Sequence, residues 1–264
     1  MNMMVAAIGI ALTSMVLAAP ASAADVGGKA VEYKVGEQVF EGFLAAPQTD
    51  AKAPGVLLVP DWLGNDDYTR QKATQLAGMG YTTFVVDMYG KGVRPTGPQE
   101  AGALAGKIKT DRAVMRQRVN ASLAVLRASA QVDPKRIVAI GYCFGGTTVL
   151  ELARSGAEVA GVVTFHGGLD TPHPEDARNI RCKVLVLHGA DDPFVPAKDV
   201  AAFEDEMRQA KVDWQMNLYS NAVHSFTRPS AGNDPSKGAA YSESADRRSW
   251  EAMKAFFAEL FAGK

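Results

Sequence analysis

The side chains of this sequence best suited to covalent chemistry are a cysteine, a histidine and an aspartate that lie far apart along the chain. Cys143 is the central residue of the stretch GYCFG at positions 141–145. A thiolate is a strong nucleophile, but a free cysteine is mostly protonated near neutral pH and needs a base beside it. His224 can take that proton and return it to a leaving group, while Asp192 holds the imidazole in the required tautomer. Together these residues predict nucleophilic catalysis through a thioester on Cys143.

The residues around Cys143 predict a buried strand, a sharp turn and the start of a helix. Gly141 and Gly145 lie two positions away on either side, where side chains would collide with the neighbouring strand and helix. This is the nucleophile-elbow pattern, with cysteine in place of the more usual serine. Such a turn points free N–H groups at a bound ligand. We therefore expect the backbone N–H groups of Phe144 and Trp62 to form an oxyanion hole.

Strand and helix patterns alternate along most of the chain. Apolar runs typical of buried strands occupy residues 55–60, 81–87, 136–142, 159–165 and 182–188, and a strand with partial alternation occupies 212–219. Helical spacing of apolar residues occupies 66–79, 99–109, 111–131, 144–155, 196–210 and 240–261. The segment 31–46 alternates, which indicates a hairpin at a sheet edge. This alternation predicts an α/β fold, a single domain with a mostly parallel, doubly wound sheet and helices on both faces.

In such a sheet, functional residues lie in the loops that follow the carboxyl ends of the strands. Cys143, Asp192 and His224 each follow a different predicted strand. They occur in the chain order nucleophile, acid, histidine that is expected of this arrangement. Three independent positions therefore agree on one site at one edge of the sheet.

Other residues near strand ends leave alternatives open for the acid and the base. Asp191 is the nearest alternative acid, and Asp170, after another strand, is a more remote one. His166 and His188 are alternative bases, but each lies close to its strand and is followed directly by glycine. His173 lies between two prolines and is predicted to be a surface residue.

Three segments resemble the dienelactone hydrolase family: the GYCFGG elbow at 141–146, DPFVP at 192–196 and HSFTR at 224–228. The resemblance covers nearly the whole chain after its N-terminal segment. It implies an α/β-hydrolase fold with a core of about eight strands and a Cys–His–Asp triad. It also implies hydrolysis of enol lactones or related esters, with no metal and no cofactor.

The resemblance further implies residues that contact the substrate or the resting thiol. The family has a glutamate after the first buried strand, where this sequence has the shorter Asp61. It has an arginine after the second strand, where this sequence has Lys91, and a second arginine that Arg228 matches. Lysine keeps the charge but loses the bidentate geometry of arginine. We therefore expect Asp61, Lys91 and Arg228 to contribute to substrate binding, and the substrate itself stays open.

The N-terminal segment predicts export. Residues 1–23 combine an apolar run with the small-x-small cleavage site ASA at 21–23, which indicates a secretory signal peptide. An uncleaved membrane anchor is the alternative. Residues 24–264 would then form one periplasmic or secreted hydrolase domain. The net charge of −1 gives no reason to expect nucleic acid or a membrane surface as a partner. The expected partner is a small ester or lactone substrate, and the protein is expected to be a monomer or a homodimer.

The sequence contains two cysteines, Cys143 and Cys182. They fall at opposite ends of their predicted strands, too far apart for a disulfide. A free thiol in an oxidising compartment is liable to sulfenylation. This motivates an alternative function, an exported binding protein derived from a hydrolase but without turnover. A carboxylesterase of broad acceptance differs from the main prediction only in its substrate.

Overall fold

The apolar runs become the strands of one eight-stranded sheet in the computed structural model, which describes residues 27–262. The strands are β1 Gly27–Val35, β2 Gln38–Ala46, β3 Ala53–Val59, β4 Thr82–Val85, β5 Val132–Tyr142, β6 Gly161–Phe165, β7 Lys183–Gly189 and β8 Trp214–Tyr219. Their spatial order is β1-β2-β4-β3-β5-β6-β7-β8. β1 and β2 form an antiparallel hairpin, and β3 to β8 pair in parallel. The predicted signal peptide, residues 1–23, lies outside the described residues and stays a prediction.

Helices cover both faces of this sheet, as the alternating pattern predicts. They are α1 Asp67–Gly78, α2 Pro98–Thr110, α3 Arg112–Ala128, α4 Phe144–Arg154, α5 Ala197–Ala210 and α6 Glu243–Phe261. Apolar residues of α2 to α5 pack on one face, and those of α1 and α6 pack on the other. Successive strand residues point to opposite faces, so Leu57 enters the first core and Leu58 the second. Within residues 27–262, no helix combines the length and apolarity needed to cross a membrane.

The parallel strands bring their carboxyl ends to one edge of the sheet. The register pairs Val59 of β3 with Gly141 of β5, and Tyr142 with Phe165 of β6. Cys143 follows directly at this edge, whereas Cys182 precedes β7 at the opposite edge. Both cysteines are free thiols, which confirms that they form no disulfide.

The last helix begins later than its sequence pattern predicts, at Glu243 rather than at residue 240. The preceding backbone serves the loop after β8 instead. Ala240 N–H donates to the carbonyl of His224 at 3.0 Å, and Ser242 N–H donates to the carbonyl of Phe226 at 3.0 Å. Ser242 has an extended backbone, with φ −133° and ψ 105°, so the helix begins at the next residue.

Candidate active site

The turn at Cys143 has the strained geometry that its flanking glycines predict. The backbone of Cys143 has φ 53° and ψ −115°, a conformation that residues with a side chain rarely adopt. A Cβ at Gly141 would lie 2.0 Å from the carbonyl oxygen of Gly145, and one at Gly145 would lie 2.2 Å from that of Val59. Only glycine therefore fits at either position, and the tight turn raises the sulfur above the sheet.

The structure brings the three predicted residues together in one hydrogen-bonded series. His224 Nε2 lies 3.0 Å from Cys143 Sγ, and His224 Nδ1 donates to Asp192 Oδ2 at 2.8 Å. The second carboxylate oxygen of Asp192 accepts a bond from the N–H of Phe194 at 2.9 Å. The carboxylate is therefore fixed by its own loop, and it fixes the ring that faces the sulfur.

Backbone hydrogen bonds and ring contacts from other parts of the chain hold His224 in place. Its N–H donates to the carbonyl of Gly238 at 3.1 Å, and its carbonyl accepts from Ala240. The rings of His166 and Phe194 meet it edge to face, with centroids 5.2 Å and 5.4 Å away. These contacts fix the imidazole before any ligand arrives.

The charges of the site favour the protonated imidazole. Burial lowers the pKa of His224, but the negative charge of a Cys143 thiolate and the hydrogen bond to Asp192 outweigh it and raise this pKa to about 10. Beside a negatively charged sulfur, His224 is therefore protonated near neutral pH. The proton that His224 can give to a leaving group is lost as the pH rises through about 10.

Within residues 27–262, the alternative acids and bases do not join the hydrogen-bonded series of Cys143, His224 and Asp192. Burial lowers the pKa of His166 and of His188, so both are neutral rings, and His166 Nε2 lies 2.8 Å from the hydroxyl of Thr227. Asp170 contacts Lys109 and Arg112. His173 is exposed beside Glu175 and Asp191 is exposed, as their loop positions suggest. Among residues 27–262, Asp192 is the carboxylate within hydrogen-bond distance of His224.

The two residues predicted to supply the oxyanion donors line the same cleft as the sulfur. Trp62 and Phe144 both line this cleft, and within the described part of the chain neither N–H donates to a protein acceptor. The carbonyl of Asp61 accepts from the N–H of Gly64 at 3.0 Å. In a trans peptide the N–H points opposite to the carbonyl, so this turn directs the N–H of Trp62 away from Gly64.

The three residues expected to bind substrate have protein partners. Asp61 Oδ2 accepts from Arg228 Nη1 at 2.7 Å and its Oδ1 accepts from the N–H of Leu63, and no hydrogen bond joins it to Cys143 among the described residues. Burial raises the pKa of Asp61, and Arg228 opposes this shift. Arg228 also contacts Asp66, so it ties the loop after β8 to the loop after β3.

Lys91 is the residue that the structure does not bring to the site. Its Nζ lies 2.6 Å from Glu32 of β1, and 46% of its side chain is exposed. It is not among the residues that line the cleft beside Cys143. The family resemblance correctly predicts that Lys91 follows the second buried strand, β4. The loop after β4, however, places its side chain beside β1, at the outer edge of the sheet.

The cleft has a volume of about 230 Å³ and is mostly apolar. Its lining residues are Trp62, Gly102, Ala105, Gly106, Lys109, Cys143, Phe144, Thr147, Gly168, Phe194, Val195 and His224. The contribution of α2 did not emerge from sequence reasoning. A signal existed, because positions 102, 105, 106 and 109 share one face of a helix. Lys109, rather than Lys91, is thus the cation at this cleft.

The mostly parallel sheet and the nucleophile turn after β5 define an α/β-hydrolase. The chain belongs to the dienelactone hydrolase family, whose family model matches residues 40–261, and it is a hydrolase of that family.

Individual relatives agree with this assignment. The solved structure m3DLH is 42% identical, with a TM-score of 0.86 over 90% of this chain and 99% of its own. A dienelactone hydrolase-like promiscuous phosphotriesterase from metagenomic libraries is 39% identical, with a TM-score of 0.85 over 90% and 99%. A probable 2-oxo-3-(5-oxofuran-2-ylidene)propanoate lactonase of Bradyrhizobium sp. is 27% identical over 70% of this chain and 77% of its own length.

Proposed function

We propose that this protein hydrolyses small carboxylic esters or lactones through an acyl thioester on Cys143. The observation that carries the proposal is the series in which His224 contacts Cys143 on one side and Asp192 on the other. The family supports the reaction class, and the Bradyrhizobium relative named as a lactonase supports lactones among the substrates.

The first half of the proposed reaction acylates the enzyme. The thiolate of Cys143 attacks the carbonyl carbon, and the carbonyl oxygen becomes an oxyanion that accepts bonds from the N–H groups of Trp62 and Phe144. Each such donor is typically worth about 3 kcal/mol to the transition state. The tetrahedral intermediate collapses as His224 gives its proton to the departing alkoxide. A linear ester loses an alcohol, whereas a lactone opens and keeps its hydroxyl on the acyl chain.

The second half releases the acid. Neutral His224 takes a proton from water, and the resulting hydroxide attacks the thioester carbonyl in the same oxyanion hole. The carbon–sulfur bond breaks, the carboxylic acid leaves, and the thiolate faces the imidazolium again. Asp192 stabilises the imidazolium in both halves without itself taking the proton. No step of this scheme uses a metal or a cofactor.

The cleft limits the substrate in size and polarity. A volume of about 230 Å³ is below the 300–1,000 Å³ typical of sites for drug-sized ligands. The rings of Trp62 and Phe194 at its rim favour flat or apolar groups.

The experiment is a panel of p-nitrophenyl esters and enol lactones with the wild type, Cys143→Ala and His224→Ala. Both variants should lose turnover. Mass spectrometry of the intact wild type during turnover should show an acyl adduct, and proteolytic digestion should locate it on the peptide that contains Cys143. Full esterase activity in either variant rejects the mechanism. Saturable binding of the esters without turnover by the wild type favours the alternative of a hydrolase-derived binding protein.

Export remains part of the proposal, motivated by the apolar segment and cleavage pattern at residues 1–23. Expression in a bacterial host followed by fractionation and N-terminal sequencing tests it. A mature chain that begins at Ala24 outside the cytoplasm supports export, and an intact Met1 in the cytoplasmic fraction rejects it.

A further inference from the structure

Tyr89 connects Trp62 and Phe144, the two residues of the cleft that are predicted to supply the oxyanion donors. Its hydroxyl donates to the carbonyl oxygen of Trp62 at 2.8 Å. Its ring stacks on the ring of Phe144, with centroids 6.2 Å apart and planes 25° apart. Trp62 follows β3 and Phe144 begins α4, so one side chain from the loop after β4 spans two separate segments of the site.

The bond from Tyr89 completes the fixation of the backbone at Trp62. The peptide before Trp62 is held because the carbonyl of Asp61 accepts from the N–H of Gly64. The peptide after it is held on its N–H side, where Leu63 donates to the Asp61 carboxylate at 2.8 Å, and on its carbonyl side by Tyr89. With both flanking peptides fixed, the N–H of Trp62 has one direction.

Tyr89 is itself held in place by burial and by hydrogen bonds of its backbone. Its side chain is buried, its N–H donates to Asp87 Oδ1 at 3.0 Å, and its carbonyl accepts from Gln38 at 3.0 Å. Burial raises the pKa of Tyr89, and the charges of Asp61 and Cys143 raise it further. The hydroxyl therefore stays protonated and remains a donor over the working pH range.

We propose that Tyr89 is a positioning residue that sets the geometry of the oxyanion hole, holding the Trp62 peptide by a hydrogen bond and Phe144 by ring stacking. The role rests on the proposed function, because it matters only where an oxyanion forms. Among residues 27–262 no hydrogen bond or ring contact joins Tyr89 to Cys143 or His224, so the proposed role concerns the acyl carbonyl and not the nucleophile.

The test is Tyr89→Phe, which keeps the ring and removes the hydroxyl. We expect kcat for a p-nitrophenyl ester to fall by about 10- to 100-fold, because small displacements of catalytic groups are costly. KM should change less than about twofold, since ground-state contacts are retained. The rate ratio between an ester and its thionoester should also fall, because a thiocarbonyl sulfur gains less from hydrogen-bond donors than an oxyanion does.

Alkylation of Cys143 by iodoacetamide separates this role from a general structural one. Attack on a saturated carbon forms no oxyanion, so Tyr89→Phe should alkylate at the wild-type rate. Tyr81→Phe is the matched control, because Tyr81 precedes β4 at the opposite sheet edge and packs on Phe257 of α6. It should leave kcat and the thionoester ratio unchanged.

Two results overturn the role while leaving the proposed function intact. One is an unchanged kcat and thionoester ratio in Tyr89→Phe, and the other is an alkylation rate that falls as much as kcat. Wild-type protein without Cys143-dependent turnover overturns the proposed function and this role with it.

Discussion

His224 Nε2 lies 3.0 Å from Cys143 Sγ, so the proton of the thiol can pass to the imidazole without an intervening group. The Asp61 carboxylate, which the family resemblance places beside the resting thiol, instead pairs with Arg228 at 2.7 Å. Within residues 27–262, His224 is therefore the base within hydrogen-bond distance of the sulfur.

Removing the imidazole of His224 should lower the reactivity of the Cys143 thiol. In His224→Gln we expect the rate of iodoacetamide alkylation at pH 7 to fall by at least about 100-fold, the low end for loss of a positioned acid–base group. Absorbance of the thiolate near 240 nm should fall with it. His173→Gln, a substitution of an exposed histidine, is the control and should alkylate like the wild type. Wild-type reactivity in His224→Gln would show that another group ionises Cys143.

The buried His166 should make the protein sensitive to acid. Burial, and then the neighbouring charge of His224, hold the pKa of His166 well below its usual 6.5. Below about pH 6.5 the unfolded chain binds a proton that the folded state excludes, so the free energy of unfolding decreases as the pH falls. One such group contributes a slope of about 1.4 kcal/mol per pH unit.

Urea unfolding of His166→Asn between pH 7 and 5 measures that contribution. Asparagine tolerates the positive φ of 42° at this position, so the backbone should be retained. The slope of stability against pH should decrease by up to about 1.4 kcal/mol per pH unit relative to the wild type. An unchanged slope would mean that His166 is not neutral in the folded protein.

Replacing Gly106 by alanine should stabilise the protein and reduce the space in the cleft. It lies inside α2, and no atom lies within 4 Å of the position its Cβ would occupy. Gly106→Ala should therefore raise the free energy of unfolding by up to about 1 kcal/mol. The same methyl group enters the cleft, so kcat/KM for bulky esters should fall relative to that for acetate esters.

Gly78→Ala is the control for that trade-off. Gly78 ends α1, also has no atom within 4 Å of its Cβ position, and does not line the cleft. It should leave the ratio of bulky to small substrates unchanged. A Gly106→Ala variant with wild-type selectivity would show that substrates do not approach α2.

Arg154 of α4 is fully buried and joins two acidic side chains. Its Nε lies 2.7 Å from Glu206 of α5, and its Nη1 lies 3.0 Å from Glu151. Arg154→Met should reduce the free energy of unfolding by about 3–5 kcal/mol, because it leaves the buried carboxylate of Glu206 without its partner, whereas Glu151 keeps its contact with Arg116. Lys254→Met breaks the exposed pair with Glu251 and should cost less than about 1 kcal/mol. Equal costs in urea unfolding would contradict the burial argument.

Lys109 and Lys91 should differ in their effect on the KM for anionic esters. Lys109 lines the cleft with its Nζ 2.9 Å from Asp170, whereas Lys91 pairs with Glu32 away from it. Lys109→Gln should raise KM for a carboxylate-bearing ester by about 3- to 10-fold, equivalent to about 0.7–1.4 kcal/mol. The KM for a neutral ester should stay unchanged, and Lys91→Gln should alter neither value. A larger effect from Lys91→Gln would restore the assignment suggested by the family.

Local sequence patterns predicted the fold and the three residues at its centre. Apolar runs of strand length identify β3 to β8, and parallel pairing brings their carboxyl ends to one edge. The glycines that flank Cys143 are required by backbone contacts of 2.0 Å and 2.2 Å, a constraint readable from residue type alone. The positions of Asp192 and His224 directly after strands were sufficient to predict that they meet.

Contacts between loops were not readable in the same way. The charge of Arg228 was evident, but whether it meets a substrate or Asp61 depends on how the loops after β3 and β8 approach each other. The residues at 240–242 favoured a helix locally, yet their backbone bonds to the loop of His224 are stronger determinants in the fold. Tyr89 falls after a predicted strand, at the edge where functional residues are expected, but its residue type alone indicated no role.

The sequence by itself determined the α/β architecture, the strained turn at Cys143 and the meeting of Cys143, Asp192 and His224, because each follows from short-range patterns and from the convergence of parallel strands. Only the tertiary structure decided that Asp61 pairs with Arg228, that α2 and Lys109 line the cleft, and that Tyr89 bridges Trp62 and Phe144. These depend on loop conformations and on side-chain pairs far apart in the chain, which local propensities and spacing do not encode.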